Sequence, residues 1–468
     1  MAAILSFESI SKAFISFSDM LCTYPEFILL IGGGLFFLFY SGFVPVRYFG
    51  RAVKSLGKKD DSPGQISSFQ ALMGAIAATV GMGSIAGVAI ALMLGGPGAI
   101  FWMWVSAIVG MATKFFEGTL AIMYRGKDDA GEIQGGPMYM ITEGMGKKWK
   151  PLAIFFSAVG LIGTLCIMQA NQLTEAVITI FTKPAGIPDT LLLKFIIGCI
   201  ICAIVAVVIL GGIKRIANIS SRIVPLMVGL YFLIVAYIIL TNLSAVPQVF
   251  GDIFRGAFNF KAGAGGAIGS FFMVATIGAR RATLVNEAGV GTASMMHGAS
   301  KNNEPVREGL VAMLGPFMDS GIVCTLTAVA ILISTASGNY VLPEAGSDVK
   351  GLEIALNSFS ASIPYPIFNG KLGGYLLMIM VFFFAFSTMF SYSYYGMKCT
   401  SYLFGTKYGK YYNYFFLAML IVCAMIPLQL AVAVIDLAFL LMACATMFTL
   451  LRLSPRVKAA AKEYFKKK

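Results

Sequence analysis

Residues 69–99, FQALMGAIAATVGMGSIAGVAIALMLGGPGA, form the stretch on which the interpretation of the whole chain depends. The stretch is apolar enough to cross a bilayer, yet residues 79–84 in its middle read TVGMGS. Each glycine in a helix interior costs about 1 kcal/mol relative to alanine, and backbone groups released inside hydrocarbon need other polar partners. The sequence therefore predicts a transmembrane helix that is broken near the middle of the bilayer.

A broken transmembrane helix offers two kinds of polar group at its break. The half-helix that begins there directs free N–H groups at an anion, and the half-helix that ends there offers free carbonyls to a cation. An amino-acid zwitterion together with a sodium ion would suit both ends. The glycines are equally consistent with close packing of small residues between helices, and their spacing alone leaves both interpretations open.

The composition identifies the class of protein. Of 468 residues, 58% are hydrophobic and 12% are charged, whereas charged residues make up about 25% of an ordinary soluble domain. Apolar segments of membrane-spanning length recur along the chain. They lie near residues 27–44, 69–93, 97–124, 151–181, 190–211, 220–243, 260–284, 308–336, 371–403, 411–427 and 430–451. We therefore predict an all-α polytopic membrane protein with about eleven transmembrane helices, preceded by an amphipathic surface segment.

The distribution of charge predicts the orientation in the membrane. The net charge is +13, and most of the 35 Lys and Arg residues fall in segments that are cytoplasmic if the N-terminus lies outside. This positive-inside bias predicts a multi-pass protein of the cell membrane with an external N-terminus and a cytoplasmic C-terminus. The basic tail, residues 452–468, would then lie near the lipids of the inner leaflet. A charge spread in this way argues against nucleic-acid binding.

The sequence gives little support to an enzyme or to a bound cofactor. The eight cysteines lie mostly within apolar segments, and no pair of CxxC motifs is present. The single histidine, His297, is predicted in a cytoplasmic loop, and one histidine excludes a multi-histidine metal centre and most histidine-dependent triads. The chain has no Walker A motif, so nucleotide hydrolysis would not drive it.

A few charged residues lie within the apolar segments. Lys114 and Glu117 are three residues apart on one helix face, which fits a self-neutralising pair or a salt bridge that gates a pathway. Asp319 and Asp436 are lone acids, and we expect each to be a structural partner of a neighbouring helix.

The second half of the chain repeats the plan of the first. The sequence GGAIGSFF, residues 265–272, has the glycine density of the first break, and it lies in a helix that should run in the opposite direction. Inverted repeats have this topology. The sequence therefore predicts a second break at residues 265–272, with Arg280 and Arg281 at the inner end of that helix and Glu287 able to pair with one of them.

The inverted-repeat plan sets the predicted division of the chain. We expect an N-terminal surface segment with a peripheral first span over residues 1–68 and a first five-helix repeat over 69–243. An inverted second repeat would cover residues 244–451, and the basic tail would follow.

Several motifs resemble those of one transporter family. They are GGPGAIFWMW (95–104), GMATKFFE (110–117), GGPMY (135–139), NEAGVG (286–291), FAFSTM (384–389) and SYYG (393–396). With the opening stretch, they are similar to the pattern of the alanine or glycine:cation symporter family along nearly the whole chain. The resemblance implies a LeuT-like fold of two inverted five-helix repeats and import of small neutral amino acids with sodium. Met82, Ser84 and Tyr392 depart from it, because the family usually has threonine, asparagine and tryptophan there.

The resemblance also implies the residues of a sodium site. In the LeuT-like arrangement the ion is held by backbone carbonyls just before the first break and by two hydroxyls of a later helix. On this chain the four residues would be Ala77, Val80, Ser387 and Thr388. Such an oxygen-rich set suits a hard cation. The alternative is that both hydroxyls only bond to carbonyls of their own helix.

The substrate would bind at the first break. The residues implicated are Gly81, Met82, Gly83 and Ser84 at the break, Gln169 and Thr388 as polar contacts, and Phe271, Phe272 and Tyr392 as aromatic walls. Asn171, Gln172 and Glu175 lie near Gln169 and would face either the same cavity or a neighbouring helix. The departures at Met82 and Ser84 predict dependence on a single sodium ion and an altered substrate preference.

These observations predict a secondary active transporter that imports alanine or glycine by sodium symport through alternating access. Its partners would be a small amino acid, sodium as the coupling ion and the lipid bilayer, with no organic cofactor. The sequence leaves several alternatives open: an amino-acid channel or facilitator, a non-transporting membrane sensor, another neutral amino acid as substrate, or coupling to protons.

Overall fold

The structure is a computed structural model that describes residues 2–58, 62, 64–258, 266–344, 349–368 and 370–467. This part of the chain is helical apart from its loops and two short antiparallel hairpins. Gly126–Lys127 pairs with Ile133–Gln134, and Pro366–Ile367 pairs with Gly370–Lys371.

The first half of the chain contains thirteen α-helices in the described ranges. They are α1 (Ala2–Phe27), α2 (Gly33–Tyr40), α3 (Val44–Arg47), α4 (Phe49–Ser55), α5 (Ser68–Thr79), α6 (Ala86–Gly95), α7 (Gly98–Met123), α8 (Pro137–Tyr139), α9 (Lys150–Gly163), α10 (Ile167–Val177), α11 (Leu191–Ile209), α12 (Gly212–Thr241) and α13 (Val246–Ala257). Short π-helical turns cover Ile28–Gly32, Met140–Met145 and Ile178–Thr182, and 3₁₀ turns cover Met82–Ser84, Lys147–Trp149 and Leu243–Ala245.

The second half continues with nine more α-helices in the described ranges. They are α14 (Gly266–Asn286), α15 (Thr292–Gly298), α16 (Pro305–Ala312), α17 (Leu314–Pro316), α18 (Cys324–Ala336), α19 (Gly351–Ser362), α20 (Leu372–Phe404), α21 (Thr406–Cys423) and α22 (Leu428–Lys467). A π-helical turn, Phe317–Val323, joins α17 to α18. Helix α7 lies at the centre of the bundle, packed against α14 and α16.

Eight helices of the described chain are long and apolar enough to cross a membrane, and a ninth span is formed if the bent pair of α5 and α6 is counted as one. The eight are Ser9–Tyr40, Gly98–Met123, Lys147–Thr182, Leu191–Ile209, Gly212–Thr241, Pro305–Ala336, Leu372–Phe404 and Leu428–Lys467. The two remaining predicted segments, near 260–284 and 411–427, coincide with α14 and α21. The total of eleven spans remains a prediction.

Both ends of the chain differ from the sequence-based expectation. The first candidate span begins at Ser9 rather than Phe27, and it includes much of the predicted surface segment. The Ser18 hydroxyl of α1 donates to the Ala433 carbonyl of α22 at 2.9 Å, so this part of the chain packs against protein. At the other end, residues 452–467 are not a separate tail, because they continue α22 without interruption.

The predicted first break is confirmed. Helix α5 ends at Thr79, α6 begins at Ala86, and the two parts of the span meet at an angle of 63°. The last helical hydrogen bond runs from the Val80 N–H to the Ile76 carbonyl at 2.7 Å. Gly81 then adopts an extended conformation, with φ −132° and ψ −155°. The glycines therefore interrupt the helix where the sequence places them.

The predicted position of the second break is wrong. Helix α14 runs without interruption from Gly266 to Asn286 across most of the predicted region, and Gly265 lies outside the described residues. The interruption follows at residues 287–291, between α14 and α15. Glu287, Gly289 and Gly291 all have positive φ angles there, of 50°, 95° and 95°. Left-handed residues cannot continue a right-handed helix, so NEAGVG is the sequence that breaks it.

We expect the two faces of the membrane to differ in lysine reactivity. An impermeant amine reagent applied to intact cells should label Lys183 and Lys350, and it should spare Lys458 and Lys462 until the membrane is permeabilised. Peptide mapping by mass spectrometry would identify the labelled lysines.

Permeabilised cells provide the control, because all four lysines should then react. Labelling of Lys458 and Lys462 in intact cells, with protection of Lys183 and Lys350, would reverse the orientation of the protein.

Candidate functional site

A cavity of about 100 Å³ lies against the first break. Parts of α5, α6, α10, α14, α20 and α22 surround it, together with the second break. A single water needs about 10–15 Å³ of such volume, so the cavity has room for several water-sized groups. Of the residues predicted from the sequence, those that line it are Gly81, Gly83, Gln169 and Tyr392.

The backbone of the first break forms one wall of the cavity. Gly83, Gly87 and Ile90 are partly exposed in a segment that is otherwise buried, and all three line the cavity. Their spacing of four and three residues puts them on one face of α6 and the turn before it. No atom lies within 4 Å of the position that a Cβ of Gly87 would occupy. The absence of a side chain at Gly87 therefore leaves open space inside the cavity.

Two residues of the break that were predicted to bind the substrate do not face the cavity. Met82 and Ser84 are fully buried, and neither lines the cavity. The Ser84 carbonyl accepts a hydrogen bond from the Thr327 hydroxyl at 2.8 Å, and the Ser84 N–H donates to the Gly81 carbonyl at 3.1 Å. The Ser84 N–H is therefore used by the turn. The N–H groups that follow, at the start of α6, have no helical partner, and Gly87 is among them.

The second break contributes a carboxylate to the cavity. Glu287 lines it, and both oxygens of this side chain accept hydrogen bonds. The Tyr392 hydroxyl donates to Oε1, and the Thr292 hydroxyl donates to Oε2 at 2.5 Å. Two hydroxyl donors therefore hold this carboxyl group in position. Tyr392, one of the three departures from the family pattern, thus orients Glu287.

An arginine of α14 and an aspartate of α22 also line the cavity. Arg280 Nη2 is 3.5 Å from Asp436 Oδ2, which joins α14 to α22, and Arg281 and Asp436 both line the cavity. The expectation that Asp436 is a partner of a neighbouring helix is confirmed. Both arginines lie in the last two turns of α14, and their position at the inner end of the helix stays a prediction. The partners of Glu287 named above are hydroxyl groups rather than a guanidinium.

The polar residues of α10 divide between the cavity and other partners. Gln169 and Gln172 line the cavity. Asn171 turns away from it and donates to the Ile426 carbonyl. Glu175 lies beyond the cavity and pairs with Lys194 at 3.0 Å and with Lys350 at 2.5 Å. Helix α10 therefore presents two amide side chains to a ligand.

The predicted sodium ligands lie around the first break. A Cβ placed on Gly81 would be only 2.7 Å from Thr388 Oγ1, so α20 touches the break at this point. Thr388 and Ser387 both donate their hydroxyl protons to the Phe384 carbonyl, at 2.9 and 3.1 Å. A hydroxyl that donates its proton still has lone pairs for a cation. The carbonyls of Ala77 and Val80 follow the last helical acceptor of α5, so no helical donor satisfies them.

The two predicted phenylalanines lie away from the cavity. Phe272 is 61% exposed on α14, and Phe271 packs edge-on against Trp102 with 5.2 Å between ring centroids. Neither lines the cavity, and Phe439 of α22 does so beside Tyr392. The sequence placed Phe271 and Phe272 at a break, whereas they occupy the second turn of a continuous helix.

Buried acids adjoin both breaks. Glu117 accepts a hydrogen bond from the Gly289 N–H at 2.5 Å, and its other oxygen is 3.7 Å from the Lys114 ammonium. Asp319 is fully buried beside Thr79, at the end of α5. Lys114 and Glu117 therefore neutralise each other, and Glu117 also holds the backbone of the second break.

A profile of the sodium:alanine symporter family matches residues 7–468. The chain belongs to this family. It is 40% identical over 445 residues to the sodium/alanine symporter AgcS of Methanococcus maripaludis, with 93% of each chain covered. It is 33% identical over 454 residues to the probable sodium/glutamine symporter GlnT of Bacillus subtilis, with 96% of this chain and 90% of that protein covered. Membership of the family makes this chain a transporter and not an enzyme.

The fold is similar to that of a solved amino-acid complex. The crystal structure of MhsT in complex with L-phenylalanine matches with a TM-score of 0.52 at 12% identity, covering 85% of this chain and 98% of that one. At this identity the similarity concerns the fold alone, and it agrees with the LeuT-like architecture expected from the motifs. The inverted repeats and their boundaries remain predictions.

A layer of hydrogen bonds closes the bundle where α5 begins. The Glu308 carboxylate accepts from Ser68 at 2.7 Å and from Asn302 at 2.9 Å, and it lies 2.7 Å from Nδ1 of His297. Lys301 donates its backbone N–H to the Ile66 carbonyl at 2.7 Å. We call this group of six residues the Glu308 layer. His297 is thus buried in α15, and its predicted place in a loop is wrong.

Replacement of Glu308 should destabilise the protein strongly. Glu308→Ala removes a buried acceptor and leaves Ser68, Asn302 and His297 with unpaired polar groups, at a cost of about 3 kcal/mol or more. The control is Glu463→Ala, because Glu463 is 68% exposed and pairs at 2.6 Å with Lys467, which is 72% exposed. An exposed pair contributes little to stability.

Thermal unfolding of both variants in detergent would measure this difference. Equal midpoints for Glu308→Ala and the unaltered protein would show that the Glu308 layer is not closed in solution.

Proposed function

We propose that this protein imports a small neutral amino acid, alanine or glycine, by sodium symport through alternating access. The observation that carries the proposal is the cavity at the first break, which has free backbone groups on one side and the Glu287 carboxylate on the other. Membership of the sodium:alanine symporter family supports both the coupling ion and the class of substrate.

The charges around the cavity suit a zwitterion. Glu287 provides a carboxylate for the substrate ammonium, and Arg281 provides a guanidinium on another wall. Asp436 also lines the cavity, but it is paired with Arg280. A zwitterion can place each of its charges beside a group that stabilises it, and burial of an unpaired charge is costly. A neutral amino acid carries only the ammonium and the carboxylate, and the cavity would pair both.

The substrate carboxylate would lie against the beginning of α6. Its N–H groups there have no helical partner, and the positive end of the helix dipole favours an anion. Gly83 and Gly87 allow the substrate to approach the backbone closely, because neither carries a side chain. Gln169 and Gln172 of α10 would complete the polar surroundings.

The lining of the cavity and a relative bear on which neutral amino acid is bound. Phe439 and Tyr392 are large side chains among those that line the cavity, and the relative AgcS is named for alanine. This supports alanine or glycine as the first candidate. The relative GlnT is named for glutamine, so a different neutral amino acid is the second candidate, and the uptake measurement below distinguishes the two.

Sodium would bind between α5 and α20. The carbonyls of Ala77 and Val80 and the hydroxyls of Ser387 and Thr388 provide four oxygen atoms in a region shielded from water. Sodium is a hard cation, and neutral oxygens bind it without adding a fixed negative charge. Because Thr388 touches Gly81 of the break, an ion there would stabilise the same backbone that binds the substrate.

Alternating access requires a closure on each side of the cavity that can open. The Glu308 layer would form one closure, and the pair of Arg280 and Asp436, which joins two helices, would form the other. Both consist of noncovalent bonds between separate helices, so each can part when one group of helices rocks against the other. A facilitator would not need two such closures, and a sensor would show binding without flux.

Uptake into proteoliposomes tests the proposal. An inward sodium gradient should drive accumulation of labelled alanine or glycine above the external concentration, and a potassium gradient should not. Glutamine and a proton gradient are tested in parallel. Equilibration without accumulation would indicate a facilitator, and accumulation of glutamine alone would overturn the assignment of the substrate.

The open space at Gly87 predicts a change in substrate size. Gly87→Ala adds one methyl group to the cavity without touching other atoms of the protein. We expect it to weaken alanine uptake more than glycine uptake, by about 10-fold or more in kcat/KM, which is the usual effect of one misplaced methyl group.

The control variant for this prediction is Gly229→Ala. A Cβ there also has no neighbour within 4 Å, but Gly229 lies on the exposed face of α12 and does not line the cavity. This variant should change the uptake of neither alanine nor glycine. Equal losses of alanine and glycine uptake in Gly87→Ala would show that the substrate side chain does not point at α6.

The proposed sodium site predicts how the sodium dependence of uptake changes when two hydroxyl ligands are removed. Ser387→Ala combined with Thr388→Ala removes two of about five oxygen ligands. The sodium concentration for half-maximal uptake should rise about tenfold or more, and uptake should be partly restored at high sodium. The control is Ser393→Ala with Thr400→Ala, which removes two hydroxyls of α20 that bond to Phe390 and Gly396 carbonyls. A loss of uptake that sodium does not reverse, in normally inserted protein, would contradict ligation.

A further inference from the structure

A second concave region lies where the segment after the first candidate span meets α7 and α22. This groove has a volume of about 370 Å³, which is within the range of ligand pockets. It begins at Ser41 and Gly42, directly after Tyr40, where the first candidate span ends. Phe115 and Phe116 of α7 form an apolar floor. We call it the tail groove.

Helix α22 gives the tail groove two parallel rows of side chains. One row is apolar and consists of Val457, Ala461 and Phe465. The other row is basic and consists of Lys458, Lys462 and Lys466, all of them exposed. Residues four apart lie on the same helix face, so the apolar and the basic row run side by side along the groove.

The opposite wall of the groove is held in place by stacked aromatic rings, and it adds a fourth positively charged side chain. The rings of Tyr48 and Phe465 are stacked, with centroids 3.7 Å apart and planes 2° from parallel, which holds the segment after the first span against α22. Arg47, next to Tyr48, also lines the groove. Four positive side chains therefore surround a groove that has a rigid aromatic side.

These four cations lack carboxylate partners. None of the described residues that line the groove is acidic, and no Asp or Glu oxygen in the described chain lies within 4 Å of Arg47, Lys458, Lys462 or Lys466. The neighbouring Glu463 points along another face of α22 and pairs with Lys467 at 2.6 Å. Arg456 on the same helix donates to the Tyr124 hydroxyl at 2.6 Å, and the Lys458 ammonium lies 4.1 Å from the centroid of the Tyr40 ring.

We propose that the tail groove binds an anionic phospholipid of the bilayer. Lysines four residues apart on a helix repel one another, and a phosphodiester anion between them would relieve this repulsion with charge-assisted hydrogen bonds. The apolar row and the floor of Phe115 and Phe116 would receive the acyl chain. A lipid fits better than a soluble anion, because the groove starts where a membrane span ends and because half of its lining is apolar.

Lipid retention by the purified protein tests this inference. The protein is reconstituted in equal amounts of phosphatidylglycerol and phosphatidylcholine, extracted again, and its retained lipid is measured by native mass spectrometry. The test variant is Lys458→Gln with Lys462→Gln. The control is Lys147→Gln with Lys148→Gln, which removes the same charge from two exposed lysines on the same predicted side of the membrane.

We expect the unaltered protein and the control to retain phosphatidylglycerol over phosphatidylcholine. The test variant should lose this preference on the order of tenfold, the effect of two basic residues near an anionic surface. If that variant unfolds, Arg47→Gln alone takes its place. Equal retention of both lipids, an equal loss in the control, or complete displacement of phosphatidylglycerol by inorganic phosphate would overturn the inference.

Discussion

Backbone N–H and C=O groups inside a bilayer need hydrogen-bond partners, and this requirement governs the centre of the protein. At the first break the Thr327 hydroxyl bonds to the Ser84 carbonyl, and at the second break Glu117 accepts from the Gly289 N–H. The Thr446 hydroxyl bonds to the Val290 carbonyl in the same way. Side chains of neighbouring helices thus provide hydrogen-bond partners for the backbone groups at the point where each helix stops.

The two breaks are consequently held by charge as well as by packing. Lys114 and Glu117 are almost fully buried, and Glu117 is fastened to the second break. Glu287 belongs to that break and faces the cavity, where Tyr392 orients it. A substrate ammonium at Glu287 would therefore act on a backbone segment that α7 already holds. This links substrate binding to the position of the central helix.

The sequence predicted the first break correctly because two glycines interrupt an otherwise uniform apolar run. It misplaced the second break, because glycines near a helix start do not interrupt it, whereas the left-handed Glu287 does. Glycine density alone does not reveal backbone angles. The error placed Phe271 and Phe272 in the predicted site and left out Glu287, Arg281 and Phe439, which line the cavity. The positive-φ glycines of NEAGVG were the available signal, while the meeting of α14 and α22 at the cavity depends on tertiary packing.

Helix α22 runs from Leu428 to Lys467, a length of about 60 Å at 1.5 Å per residue. Pro455 removes one hydrogen bond from it, but the helix continues to its end. Asp436 lies near one end, and the lysines of the tail groove lie near the other. A tilt of about 10° around Asp436 would therefore move the far end of the helix by several ångströms. A lipid in the tail groove and the pair of Arg280 and Asp436 would thus act on the two ends of the same helix.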